Sequence, residues 1–259
     1  MQASTDNRLQ IEAQPVTDVA LLMSGLTPDH EDYFPTVVMN TLMQTVLKDT
    51  SLGQYHTAVI EAIVTIFKTL GLKCVPFLSQ IIPSFVTVIR SAPKHRLELY
   101  FSQLAILVSI VRQHIRPYTK ELIGLVLEFW PQGPQIQATV LSLVESLSRS
   151  LEGEFQAYGY VAQFLPLMLR VLENDDTVLR QPSERVLHAI LALGPNCEFY
   201  MHLIIPVLVN TFQKPTNPTA IRRTAIDTIG KITRQVNIMD YTSVLVHNLR
   251  EMLSAKEQI

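Results

Sequence analysis

Apolar and polar positions follow a helical pattern in this chain that repeats about every 41 residues. An aromatic residue marks each copy, and these residues are Phe77, Tyr118, Tyr160, Tyr200 and Tyr241, at successive spacings of 41, 42, 40 and 41. Of the 30 positions that lie 4, 5, 8, 9, 11 and 12 residues after these aromatics, only Thr211 and Arg250 are polar. Such spacing gathers apolar side chains on one helix face, so each copy predicts one amphipathic helix.

Another apolar stretch separates consecutive copies, so each repeat contains a pair of helices. Two helices in a repeat of this length are typical of HEAT and armadillo repeats. We therefore predict an all-α fold, a HEAT-repeat α-solenoid in which antiparallel helix pairs form a right-handed superhelix. The chain has 9 glycines in 259 residues, about half the usual share of roughly 7%, and this disfavours an all-β fold with many turns.

The pattern divides the chain into a short arm and one long array. Residues 1–14 are polar and aperiodic and predict a flexible arm or linker. We predict that residues 15–259 form the HEAT-repeat array, with a divergent first unit at 15–50. The helix pairs that follow are predicted at about 54–91, 96–130, 134–173, 182–213 and 219–255.

Glycines and prolines mark the predicted helix ends. Gly71, Gly153 and Gly194 follow the first helices of three pairs, where a residue with positive φ commonly ends a helix. Pro76 and Pro117 precede the repeated aromatic residue. We predict that these prolines occupy the first position of the second helices, where a missing N–H costs nothing.

Charge and cysteine content narrow the possible partners and compartments. The chain has 21 basic and 23 acidic residues and a net charge of −2, so no overall field attracts nucleic acid or anionic lipid. Its two cysteines, Cys74 and Cys197, indicate neither a disulfide framework nor a zinc site. The first residues do not resemble a signal peptide. Every apolar stretch of about 18 residues, the length of a membrane span, contains a charge or a proline. We expect a soluble intracellular protein that binds no nucleic acid and does not insert into a membrane.

Sequence signatures of catalysis are missing from the chain. We find no glycine-rich phosphate loop, nucleophile elbow, His-Glu-x-x-His or paired Cys-x-x-Cys motif. The 7 histidines are scattered, and the two cysteines are expected to be small buried residues rather than nucleophiles. Phe129 and Trp130 occupy predicted core positions. We therefore predict no catalytic, cofactor-binding or metal-binding residue and no cofactor, and the sequence assigns no protein-binding residue.

Two charged groups stand out on the predicted helices. The acidic group precedes a helix at Tyr33 and comprises Asp29, His30, Glu31 and Asp32. The basic group comprises Arg222, Arg223, Lys231 and Arg234, with Asp227 among them. We interpret the acidic group as a solvated first turn that complements the helix dipole, and the basic group as a solvated ridge. The alternatives are a partner contact for the acidic group and a dock for an acidic peptide on the basic group.

Several short motifs resemble those of one protein family. They are YFPTVVMNTLMQTVLKDTSL (Tyr33 to Leu52), FKTLGLKCVPF (Phe67 to Phe77), HIRPY (His114 to Tyr118), EFW (Glu128 to Trp130) and GEF (Gly153 to Phe155). In this order and spacing they resemble the HEAT region of the TOR (target of rapamycin) protein kinases. The resemblance runs from about Val19 to the C-terminus, and we expect the residues through about Gln14 not to align with that family.

The resemblance implies a non-catalytic scaffold segment of a very large phosphatidylinositol-kinase-related Ser/Thr protein kinase. In that family, solenoids build the dimer and receive adaptor subunits of the Raptor or Rictor type in nutrient and growth signalling. The kinase lobes lie outside this region, so no catalytic residue of the family maps onto a position here, and the chain itself is expected not to be an enzyme. The resemblance also implies a cytoplasmic location, with peripheral attachment to the vacuolar or lysosomal surface through the parent complex.

Two other classes of protein are alternatives. A stand-alone HEAT-repeat adaptor, such as a transport receptor or a phosphatase scaffold subunit, would share the periodicity. Transport receptors tend to be more acidic, and phosphatase scaffolds repeat Asp and Arg at fixed places in their turns; this chain shows neither feature. An all-α enzyme is disfavoured because no cluster of titratable residues falls in the core positions.

Two expectations concern the core and the last unit. Leu165, Ile205 and Leu208 should be buried between neighbouring helices, whereas Arg222→Ala should change stability by at most about 0.5 kcal/mol if the basic ridge is solvated. In the last unit, the helices at 221–236 and 241–253 should expose an apolar face where another repeat would pack. Such a face favours self-association.

Overall fold

The structure, a computed structural model, describes residues 27–47 and 52–256. Its α-helices are α1 (Tyr33–Thr41), α2 (His56–Leu70), α3 (Leu78–Ser91), α4 (Lys94–Val111), α5 (Thr119–Phe129), α6 (Pro134–Leu151), α7 (Gly153–Ala157), α8 (Tyr160–Asn174), α9 (Gln181–Leu193), α10 (Met201–Gln213), α11 (Thr219–Ile232) and α12 (Thr242–Lys256). No β-strand occurs among the described residues, and the all-α prediction is confirmed. The predicted arm at 1–14 lies outside the described residues, as do parts of the divergent first unit.

The helices stack in two layers. The first helices of successive pairs pack on one another, α2 on α4, α4 on α6, α6 on α9 and α9 on α11. Each second helix packs on the first helix of the next pair, as α3 does on α4, α5 on α6, α8 on α9 and α10 on α11. These contacts join each pair to its neighbours along the chain, which is the contact pattern expected of a helical repeat. The right-handed superhelix stays a prediction.

The repeated apolar positions form the contact between the layers. In the first four copies all of these positions are buried except Leu127 and Val171, which are half-buried. Leu165, Ile205 and Leu208 are buried as predicted. Polar Thr211 is also buried, because its hydroxyl donates a hydrogen bond to the Val207 carbonyl one helical turn earlier, at 2.7 Å. The side chain is therefore satisfied within its own helix.

Four first helices end in the same unusual backbone conformation. The residues directly after α2, α4, α6 and α9 are Gly71, Arg112, Glu152 and Gly194, with φ between 45° and 58° and ψ between −131° and −129°. Gly71 and Gly194 confirm the prediction, but Gly153 does not, because Glu152 takes the positive φ in its place. The same backbone conformation therefore follows a first helix whether or not the residue at that position is glycine.

The second helices of the first two pairs begin later than predicted. Short 3₁₀ segments, Gly71–Phe77 and Arg112–Tyr118, precede α3 and α5. Pro76 and Pro117 lie inside these segments, so the prediction that they occupy the first position of a helix is wrong. In both segments α-helical hydrogen bonding starts only after the repeated aromatic residue, whereas the short α-helix α7 follows the positive-φ residue Glu152 directly.

The stretch Gln181–Gln213 is long and apolar enough, by length and composition, to cross a membrane. In the structure it is interrupted at Gly194 and forms two helices of 13 residues each. Each is shorter than the ~20 residues that a membrane-spanning helix needs. Side chains from both helices, such as Ile190 and Leu208, are buried in the core, so packing accounts for the apolar composition.

The last copy of the repeat is more exposed than the others. Leu245 is buried, Leu249 and Met252 are half-buried, and Val246 is exposed. The self-association expected of this region stays a prediction.

Candidate protein-interaction surface

The acidic group before α1 is partly buried, which corrects the solvated-turn interpretation. The Asp32 side chain accepts a hydrogen bond from the Lys73 ammonium and is only 10% exposed. Lys73 also lies 3.6 Å from the Glu31 carboxylate. The hydrogen bond to Asp32 raises the pKa of Lys73 above its ordinary value. Asp32 therefore joins the first unit to the connector after α2, while Asp29 and Glu31 remain exposed.

The basic group on α11 is also not uniformly solvated. The Arg222 guanidinium donates a hydrogen bond from Nε to the Phe212 carbonyl at 2.6 Å and is only partly exposed. This bond joins α11 to the end of α10, so the expectation that Arg222 is a free surface residue is wrong. Arg223, Lys231 and Arg234 are exposed as predicted.

The other sequence candidates have structural roles. Burial raises the pKa of the Cys74 and Cys197 thiols to about 12, so both are protonated at neutral pH and are poor nucleophiles. Phe129 and Trp130 are buried, and the Phe129 ring packs edge-on against Phe101 with 5.4 Å between ring centres. Within residues 27–47 and 52–256, no three His, Cys, Asp or Glu side chains are grouped as metal ligands would be.

A loop between α8 and α9 holds a polar network that the sequence analysis missed. We call residues 175–180 the 175–180 loop. One oxygen of the Asp175 carboxylate accepts hydrogen bonds from the Thr177 backbone N–H and hydroxyl, at 3.1 and 2.6 Å. The other oxygen accepts hydrogen bonds from the Ser183 backbone N–H and hydroxyl, at 3.0 and 2.6 Å. Asp175 therefore fixes the loop and satisfies one of the free N–H groups at the start of α9, that of Ser183.

These hydrogen bonds set the charge of Asp175. Burial acts to raise the pKa of this carboxyl, but the hydrogen bonds from Ser183 and Thr177 outweigh it. The pKa of Asp175 is consequently below its ordinary value. The carboxylate stays ionised at neutral pH and can balance a neighbouring cation.

Arg180 is that cation, and it is 5% exposed. Its Nε lies 3.9 Å from the Asp175 carboxylate, and its Nη2 donates a hydrogen bond to the Leu172 carbonyl at 2.6 Å. Its Nη1 donates to the Asn217 side-chain carbonyl, and the Asn217 amide donates to the Thr211 carbonyl at 2.7 Å. Arg180 therefore joins the end of α8 to the loop after α10, in the next pair.

This network holds two apolar residues in solvent. Val178 and Leu179, at the tip of the 175–180 loop, are 87% and 69% exposed. They lie on one side of an open cleft of about 810 Å³. Its lining residues come from the loop and from the N-terminal parts of α4, α6 and α9; they include Glu98, Pro134, Ala138, Pro182, Glu184 and Arg185. The side of the array where one pair connects to the next therefore carries a rigid apolar tip beside a groove.

Two clues to this site were present in the sequence. An apolar dipeptide, Val178-Leu179, interrupts an otherwise polar loop, and Arg180 lies 37 residues before Asn217, close to one repeat period. The conformation of the loop could not be read from the sequence, because it depends on contacts between two pairs.

The fold defines an all-α protein of successive helix pairs, and comparisons with known sequences identify its relatives. Residues 1–112 match the family model described as "Serine/threonine-protein kinase mTOR domain", so the expectation that the residues through about Gln14 do not align with this family is wrong. Serine/threonine-protein kinase TOR2 of Saccharomyces cerevisiae is 39% identical over 255 residues, which are 98% of this chain and 10% of the relative. Serine/threonine-protein kinase mTor of Drosophila melanogaster is 34% identical over 248 residues, 96% of this chain and 10% of the relative.

A plant relative agrees. Serine/threonine-protein kinase TOR of Arabidopsis thaliana is 36% identical over 258 residues, 94% of this chain and 10% of the relative. The chain therefore belongs to the TOR kinase family, as a segment of a TOR-family protein. It spans about a tenth of the length of the curated relatives it matches, and it corresponds to a non-catalytic part of them.

Proposed function

We propose that the chain is a non-catalytic scaffold of a TOR-type, phosphatidylinositol-kinase-related protein kinase. In this proposal it supports dimer assembly and the docking of Raptor- or Rictor-type adaptor subunits in nutrient and growth signalling. The observation that carries the proposal is the match to TOR2, at 39% identity over 98% of this chain. The proposal also includes a cytoplasmic location, with attachment to the vacuolar or lysosomal surface through the parent complex.

The helix pairs suit a scaffold because each pair packs on its neighbours along the chain, and ion pairs add to these contacts. Arg90 pairs with Glu128, and Arg116 pairs with Glu154, in each case between two successive pairs. Each exposed ion pair contributes little to stability, so the packed helices hold one pair against the next. Helical repeats use such extended surfaces to bind partners. A stand-alone adaptor, the alternative function, has less support because the matched relatives are named protein kinases.

The experiment that tests the proposal uses the full-length kinase. This segment is replaced by a flexible linker, and three quantities are measured: the mass of the particle by light scattering, the co-purification of the adaptor, and phosphorylation of a short peptide substrate. We expect the dimer or the adaptor to be lost while peptide phosphorylation per kinase domain persists. An unchanged dimer with a fully retained adaptor would contradict the proposal.

A further inference from the structure

We infer that the 175–180 loop and its cleft bind a basic, amphipathic α-helix of a partner protein. The inference rests on the proposed scaffold function, since it specifies the chemistry of one partner contact. Three properties of the surface carry it: a preformed apolar tip, two exposed carboxylates without a partner in the described part of the chain, and a groove that crosses three first helices.

The apolar tip is already held in one conformation. Asp175 and Arg180 fix both ends of the loop through buried hydrogen bonds, so Val178 and Leu179 have little backbone freedom left to lose. A partner that covers them gains apolar burial without a large cost for ordering the loop. A partner that covers Val178 and Leu179 removes the apolar surface of both side chains from water, which favours binding.

The free charges of the cleft are acidic. Glu98 and Glu184 are exposed and line it, and within the described residues neither carboxylate has a hydrogen bond or an ion pair. Arg185, which also lines the cleft, donates a hydrogen bond to the Ser142 hydroxyl at 2.8 Å and lies 3.5 Å from Glu145. Its charge is therefore already engaged. Lysine or arginine side chains on the partner would complement the two free carboxylates.

The shape of the groove favours a helix. Its lining comes from α4, α6 and α9, three first helices that pack side by side. With 8–10 Å between packed helix axes, the groove is about 20 Å long. An α-helix of about 13 residues has this length, at 1.5 Å per residue. Such a helix can place apolar residues at i, i+3, i+4 and i+7 on the tip, with basic residues on its flank.

A second copy of this chain fits the surface less well. Its exposed basic ridge is Arg223, Lys231 and Arg234 on and after α11, but the apolar residues of that helix, such as Ile229 and Ile232, are buried in its own core. The ridge therefore offers charge without an apolar face to cover Val178 and Leu179. Val244 and Val246 are exposed on α12, but they do not lie on the helix that carries the ridge, whereas one separate amphipathic helix supplies charge and apolar contact together.

The test is a fluorescence anisotropy titration of the 259-residue chain with two labelled peptides. Both peptides are amphipathic helices with leucine at i, i+3, i+4 and i+7; one carries lysine on its polar face and the other glutamate. We expect the lysine peptide to bind at least about tenfold more tightly. The difference should shrink in about 1 M salt, where the Debye length falls to about 3 Å.

Two double variants locate the site. Val178→Ser with Leu179→Ser removes the apolar tip, and Glu98→Lys with Glu184→Lys reverses the charge of the cleft. Phe199→Ser is the control for the apolar variant. Phe199 is 74% exposed but lies beyond the opposite end of α9, about 20 Å away at 1.5 Å per residue. Glu121→Lys, at an exposed position on α5, is the control for the charge variant. We expect each double variant to weaken binding of the lysine peptide by about tenfold or more, and the controls to change it by less than about twofold.

Three results would overturn the inference. The first is equal affinity for the two peptides, and the second is binding that survives both double variants. The third is a dimer of the unmodified chain in sedimentation equilibrium that Val178→Ser with Leu179→Ser converts to a monomer, because a second copy would then occupy the tip. Each of these leaves the linker replacement in the kinase unaffected, so failure of this inference is distinguishable from failure of the proposed scaffold function.

Discussion

Replacing Glu152 by glycine should stabilise the fold, although glycine usually destabilises a helical protein. Glu152 ends α6 with φ 45° and ψ −130°, the conformation that Gly71 and Gly194 adopt at equivalent places. A residue with a Cβ is strained there, and glycine is not. The Glu152 side chain is exposed, so its removal changes the backbone conformational energy and leaves core packing intact.

The expected gain is about 1 kcal/mol. Relief of a sparsely populated conformation is worth roughly 1–3 kcal/mol, and glycine gives back roughly 0.5–1 kcal/mol because it is more flexible in the unfolded chain. Arg112, with φ 50° and ψ −131° after α4, should gain less on replacement by glycine. Its positive charge at the end of a helix contributes about 0.3–1 kcal/mol that the substitution removes.

Gly71→Ala is the matched opposite change. A Cβ at Gly71 would meet no atom within 4 Å, so the whole cost, about 1–3 kcal/mol, comes from backbone strain. Urea unfolding followed by circular dichroism measures all three variants, and a gain of 1 kcal/mol should raise Tm by about 2–4 °C. If both glycine variants lower the unfolding free energy by the ordinary glycine penalty, the positive-φ residues are not strained and the reasoning fails.

Three further changes test the core, the surface and the polar network by the same unfolding measurement. Leu208→Ala should cost about 2–5 kcal/mol because it leaves a cavity in the core, and a loss below ~1 kcal/mol would contradict its burial. Arg222→Ala should cost about 1 kcal/mol through the lost hydrogen bond to Phe212, while Arg223→Ala should cost less than about 0.5 kcal/mol; equal losses would contradict the contact. Because the folded pKa of Asp175 is lowered, its stabilisation is present above the unfolded pKa near 3.9 and is lost as pH falls through the folded pKa. The destabilisation caused by Asp175→Asn should therefore be about 2 kcal/mol at pH 7 and shrink below about pH 4, and a constant difference down to pH 2 would contradict this.

The apolar pattern located the helices because burial depends on spacing that the sequence displays directly. Leu165 and Ile205 are separated by 40 residues, and both lie at the contact between helix layers. The connectors were less predictable. Gly153 looked like the helix-ending residue, but the turn uses Glu152 because the backbone reversal must come directly after α6, whichever side chain stands there.

Surface assignments failed where one side chain reached another repeat. Asp32 looked solvated because its neighbours in sequence are polar, but Lys73, 41 residues later, covers it. Arg222 looked like part of a basic ridge, but the Phe212 carbonyl at the end of the preceding helix engages it. The local sequence shows which side chains share one face of a helix. It does not show which residues of a neighbouring repeat contact that face.

The separations of these bonds provide the missing rule. Several bonds between neighbouring pairs join residues roughly one period apart; they include Asp32–Lys73 at 41, Arg90–Glu128 at 38, Arg116–Glu154 at 38, Gln156–Asn196 at 40 and Arg180–Asn217 at 37. Others, such as Arg222–Phe212 at 10, cross a single connector. In a repeat array each unit touches only its neighbours, so a polar side chain near a helix end finds its partner across the adjoining connector, about 40 residues away, or in solvent. Glu98 and Glu184 lie at such ends without a partner among the described residues. Exposed polar residues that lack such a partner are free to contact another protein, and in the site that we propose two of them line the groove beside Val178 and Leu179.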